Sequence, residues 1–98
     1  MKTLPEGQSQ GNTFEITQVM TLSAGKIQFM LNQPAEAAEI LKLGIRDDLT
    51  DLTNREIARW YLVALMKNGD NDPELYNKLI VIDPIEEKTI QVLAEQNF

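Results

Sequence analysis

The stretch Arg55–Pro84, REIARWYLVALMKNGDNDPELYNKLIVIDP, constrains the fold more than any other part of the chain. It reads as a helix, a Gly-Asp turn, a second helix and an Asp-Pro stop. Ile57, Trp60, Tyr61, Ala64 and Leu65 keep the helical period. Gly69 supplies the left-handed residue that commonly closes a helix. Asp72-Pro73 then restarts the chain, the aspartate as cap and the proline at the first helical position. Leu75, Tyr76, Leu79 and Ile80 form the buried side of the second helix, Pro73 to about Ile82. Its LIVI run has strand composition, but no second strand exists to pair with it.

The remaining chain follows the same grammar. Asn12 and Glu15 have capping-box spacing and predict a helix start near Thr13. The first helix then runs from about Phe14 to Leu31, and the Pro34 bond ends it. On a helical wheel Ile16, Val19, Met20, Ala24, Ile27, Met30 and Leu31 form one broad apolar stripe, expected to be core. Leu22 and Phe29 form a second, narrower stripe nearly opposite. A second helix covers Pro34 to about Ile45, with Ala37, Ile40, Leu41 and Gly44 toward the first. Thr53 and Glu56 form another capping box, so the third helix is expected from about Asn54 to Asn68. Asp83-Pro84 starts a fifth, to about Gln96, with Ile85, Ile90 and Leu93 inward, joined by Val92 and Ala94. The expectation is an all-α antiparallel array of about five helices in one domain over 13–98, after a flexible lead over 1–12.

Composition narrows the chemistry. The 98 residues include no cysteine and no histidine, so thiolate sites, disulfides and imidazole chemistry are absent. A net charge of -6 without a basic cluster disfavours nucleic acid. No apolar run approaches the roughly 18 residues of a membrane span. The segment MKTLPEGQSQGN lacks the apolar region of a signal peptide, so a cytoplasmic location is the default. Asp70-Asn71-Asp72-Pro73-Glu74 begins like a calcium loop but lacks its glycine and distal glutamate, so turn and capping roles are expected. Asp47, Asp48 and Asp51 read as a solvated acidic connection. Trp60 and Tyr61 read as core and Glu86-Glu87 as a helix start. No catalytic residue, metal ligand or cofactor is expected, and the chain does not read as an enzyme.

The two hairpins resemble two copies of one unit. Asn32-Gln33 and Gly69-Asp70 lie 37 residues apart, near the roughly 34 of a tetratricopeptide repeat. ARWYLVALMKNGD resembles the end of such a repeat's first helix and its turn, and Asp83-Pro84 its closing pair. Gly25, Ala37 and Gly44 fall on the small positions of the upstream copy. The resemblance spans roughly residues 18–84. It departs at Glu74, where alanine is expected, at Thr21 and Gln28, where large apolar residues are expected, and at an Asp-Pro about two residues early.

The resemblance implies a right-handed array that binds proteins, as an adaptor or small chaperone-like subunit. Its first helices would line a groove for a partner helix or peptide. Carried over residue by residue, the groove positions are Val19, Leu22, Lys26, Phe29 and Met30, then Glu56, Arg59, Val63, Met66 and Lys67. Leu22, Phe29, Val63 and Met66 would supply apolar contact, and Lys26, Arg59 and Lys67 would meet a partner's carboxylates. The Leu22–Phe29 stripe admits three occupants: a partner helix, another element of this chain, or a second copy in a homodimer. A stand-alone bundle with a structural or regulatory task is the competing class.

Overall fold

Five helices follow one another with short connections: α1 Glu6–Met30, α2 Pro34–Lys42, α3 Leu52–Lys67, α4 Pro73–Ile82 and α5 Ile85–Glu95. The computed structural model describes the backbone of residues 6–96 and the side chains of residues 17–96. No strand occurs among them, and the fold is all-α. α1 begins at Glu6, so the capping-box pair Asn12 and Glu15 lies within the helix instead of opening it. Of the expected flexible lead, residues 1–5 lie outside the described residues.

The two hairpin turns are closed by the same device. Asn32 (φ 62°) and Gly69 (φ 81°) both take the left-handed conformation. The next amide reaches back five residues in each case, Gln33 N to Gln28 O at 2.9 Å and Asp70 N to Leu65 O at 2.8 Å. A shorter bond sits inside each, Asn32 N to Phe29 O and Gly69 N to Met66 O. These bonds satisfy carbonyls that a helix end leaves open. Pro34 and Pro73 then open the return helices without wasting an amide. Asp72 caps α4 by accepting from Leu75 N at 3.2 Å.

α3 is the hub. It packs against all four other helices; α2 also packs against α1, and α4 against α5. Its buried residues Ile57, Ala58, Trp60, Tyr61, Leu62, Val63 and Ala64 occupy most of its circumference, as a helix with neighbours on several sides requires. Phe29, Ala37, Leu41, Leu49, Leu79 and Ile90 complete the core. Each large buried side chain here contributes roughly 1.5–3 kcal/mol of burial. The Phe29 ring stands edge-on to Trp60, 5.3 Å between centroids.

Small residues set the first hairpin's spacing. A Cβ on Gly25 would fall 2.4 Å from the Leu41 side chain, itself fully buried. A Cβ on Gly44 would fall 2.9 Å from Thr21 Cγ2. The close approach turns Gln18, Leu22, Gly25 and Phe29 inward, spaced four, three and four residues apart. This is a heptad-type seam. It reverses the expected orientation of α1: among the described residues the large side chains of the broad stripe are outside and the narrow stripe is inside. Val19, Met20, Ile27, Met30 and Leu31 are between 53% and 64% exposed, whereas Phe29 is 4% exposed. Ile85 and Val92 on α5 are likewise exposed, and Glu86 is buried in their place.

A buried amide fixes the α2–α3 connection. Asp51 caps α3 by accepting from Asn54 N at 2.9 Å, so the helix opens two residues before the expected Thr53 box. Asn54 is 2% exposed. Its Nδ2 donates to Arg46 O and Asp48 O, both at 2.8 Å, and its Oδ1 accepts from Arg46 N at 2.7 Å. Gln18 of α1 joins by donating to Gly44 O at 3.0 Å. A satisfied buried network of this kind rigidifies the loop, which Leu49 and Ile45 also anchor to the core.

Candidate functional site

The groove positions taken from the repeat resemblance are largely occupied within the chain. Phe29 and Val63 are core residues, 4% and 0% exposed, and no partner reaches them while the helices stay packed. Leu22 is half-buried against the same core. Met66 is 38% exposed, at the edge of a cavity of about 180 Å³ lined also by Leu62, Pro73 and Tyr76. Ligand pockets usually run from about 300 Å³ upward.

The three cations expected at the rim already have partners. Lys26 of α1 lies 3.3 Å from Glu56 of α3 and 5.4 Å from the centroid of the Trp60 ring. Arg59 of α3 makes a two-pronged bond to Glu86 of α5, Nε to Oε1 at 2.7 Å and Nη2 to Oε2 at 2.8 Å. Lys67 donates to the carbonyl of Gln96, just past α5. Together these bonds lace α1, α3 and α5 into a row. Their strengths differ. The Lys26–Glu56 pair is about one-third exposed and contributes at most about 1 kcal/mol. Glu86 is 2% exposed, and the fork-shaped match to guanidinium makes its pair directional. The bond to Glu86 raises the Arg59 pKa above its ordinary value, with burial opposing it. These groups hold the array together rather than awaiting a carboxylate from outside.

The acidic connections have structural roles as well. Asp48 accepts from the amide and hydroxyl of Thr50, and these two bonds lower its pKa. Asp51 and Asp72 are caps. Among the described residues no group of three or more acidic side chains is arranged to hold a metal ion.

The longest run of open apolar surface on one described helix is the outward face of α1. Val19, Met20, Ile27, Met30 and Leu31 share it with the exposed Ser23. Sequence reasoning placed all five in the core stripe, because the wider apolar stripe of a helix is usually the buried one, and named Val19 and Met30 as groove positions as well. Against that, the 18-22-25-29 spacing and the small residues Gly25, Ala37 and Gly44 mark where α2 comes close. Between Thr17 and Leu31 the only charged residue is Lys26, which turns to Glu56. The outward face is therefore apolar and uncharged over four turns. None of the described helices is long and apolar enough to cross a membrane. Compared with family models, curated proteins and solved structures, the chain finds no match.

Proposed function

We propose that the protein is a non-enzymatic protein–protein interaction module, a tetratricopeptide-like adaptor or small chaperone-like subunit that binds a partner helix along the outward face of α1. One observation carries this reading: five large apolar side chains, each more than half exposed, lie on one helix face without a charge among them. A patch of that kind, at the upper end for a small chain, is often functional. Its chemistry suits the apolar side of another helix, read at three- and four-residue intervals.

The repeat-like part of the proposal draws on three supports. The two turns share their left-handed residue and bonding pattern at an offset of 37 residues. Gly25, Ala37 and Gly44, the small positions of the resemblance, lie at or beside the close α1–α2 approach. Alternate helices α1, α3 and α5 contact in a row, as stacked hairpins would. The binding face differs from the groove that the resemblance implied, because Lys26, Arg59 and Lys67 are bonded internally. A structural bundle acting as a homodimer is the second reading, and the same uncharged face favours it.

The test is a photoreactive side chain at Ile27, with Glu39 on the exposed side of α2 as control. An adduct of discrete mass is expected from position 27 only, and it should disappear when Met20→Asp is added. Equal yields from both positions, or no adduct at 27, would remove the reading.

A further inference from the structure

We propose that the occupant of this face is a second copy of the chain, its α1 laid antiparallel across the first at Ser23. This rests on the reading of the outward face of α1 as a helix-docking surface and names its partner.

The first argument is charge. The chain carries -6, so two copies repel wherever acidic surfaces meet. The outward face of α1 presents no carboxylate between Thr17 and Leu31, so copies can meet there at low electrostatic cost. A foreign partner is commonly selected by charges around the apolar centre. Here Lys26, which flanks the face, is bonded to Glu56, and the cations Arg59 and Lys67 of the adjoining row are bonded too.

The second argument is the pattern itself. A two-fold contact needs a surface that complements itself. Val19 and Ile27 lie four residues on either side of Ser23, and the sequence sets Ile16 and Met30 seven residues on either side. In an antiparallel pair Val19 therefore meets Ile27 of the other copy, and the small Ser23 and Ala24 sit at the crossing. Small residues there permit the 8–10 Å axial separation of packed helices.

The third argument is area. Five side chains exposed by more than half give a patch on the order of 500 Å², at the upper end for a monomer. Two such patches bury about 1,000 Å², the lower limit of a specific interface. An interface at that limit is of the weak, transient class, so the dimer should come apart on dilution.

The test uses the purified full chain. Light scattering across a concentration series should show a dimer that dissociates on dilution. Ile27→Asp should be monomeric with unchanged helicity, and Val81→Asp, at an exposed apolar site on α4, should still dimerise. Because the chain has no cysteine, Ser23→Cys gives a clean geometric probe. Under mild oxidation it should link to itself in high yield. Val19→Cys and Ile27→Cys should link to each other when mixed better than either links to itself. The Ser23→Cys result stands even if Ile27→Asp fails to fold. A wild type that stays monomeric at all concentrations overturns the proposal, as does a dimer in which Ser23→Cys does not cross-link. If the pure chain is monomeric while position 27 still gives an adduct with another protein, the docking reading survives and the second copy does not. A monomer with no adduct removes both.

Discussion

The two hairpins share a turn and differ in how their helices meet. In the first, Gly25 lets Leu41 sit against the α1 backbone, and Ala37, Ala38 and Leu41 of α2 are all buried. In the second, α4 commits only Leu79 fully to the core, and a cavity of about 180 Å³ remains beside Leu62 and Tyr76. Glu74 of α4, where the first copy's pattern calls for alanine, is exposed and bonds to Lys78. The same local grammar thus yields a close contact or a loose one, depending on whether small residues stand at the crossing. Turn chemistry determines that a hairpin forms; the facing side chains determine how well it is held.

The largest expected effect is on the two buried leucines, compared at one protein concentration because association would shift both. Leu41→Ala should lose about 4 kcal/mol in urea denaturation, since a closely packed hairpin cannot collapse onto the void. Leu79→Ala should lose only about 2–3 kcal/mol, because α4 is held by fewer partners and can settle inward. Equal losses would mean that the second hairpin is as tightly packed as the first.

Next comes the bond tying α3 to α5. Arg59→Met leaves the Glu86 carboxylate buried without its cation and should cost about 3 kcal/mol. Glu86→Gln leaves Arg59, whose side chain is 24% exposed, free to reach water, and should cost about 1–2 kcal/mol. The asymmetry follows from which partner is more deeply buried, and a reversed order would contradict it.

Smaller still is the exchange at the crossing positions. Gly25→Ala improves helix propensity by up to about 1 kcal/mol, but the new Cβ meets a Leu41 that has nowhere to go. Overpacking typically costs about 1–3 kcal/mol, so the net change should be a loss. Glu74→Ala, at the place that corresponds to the buried Ala37 of the first hairpin, should stay within about 0.5 kcal/mol of the wild type because Glu74 is exposed.

The same contrast explains what could be read from the chain. Helix number and order were legible, because Pro34, Pro73, Gly69 and the Asp-Pro pairs have local effects. The orientation of α1 was not. Both of its sides are apolar, and the wheel favours the wider stripe. The narrower one is buried because Gly25 admits Leu41, a relation between residues 16 apart that no single-helix periodicity contains. The α3 start was misplaced for a similar reason: Thr53 and Glu56 have capping-box spacing, whereas Asp51 caps the helix and Asn54 is spent on Arg46 and Asp48. Glu86 looked like a solvated helix start, and only the fold brings Arg59 to it across 27 positions. The candidate site depends most on such relations. The outward face of α1 becomes visible as a surface only once α2 and α3 have claimed the other side.

The smallest effect is a titration. Burial raises the pKa of both Tyr61 and Tyr76, with Asp72, Asp70 and Glu39 adding to it at Tyr61, and Glu87 at Tyr76, where a bond to Gln91 opposes. A phenol with a raised folded pKa stabilises the fold fully below its unfolded value near pH 10. That contribution is lost as pH rises through the folded value. Each single Tyr→Phe variant leaves one phenol to follow by its phenolate absorbance. Tyr61 is buried on the hub helix, with the carboxylates of Asp72, Asp70 and Glu39 opposing its charge, and should ionise together with the loss of helical circular dichroism. Tyr76 is on α4 and half-buried, so it should ionise at lower pH while the helical signal persists, through local release of α4. If Tyr76 also waits for global unfolding, α4 opens only with the core, and the two hairpins then differ in packing without differing in local stability.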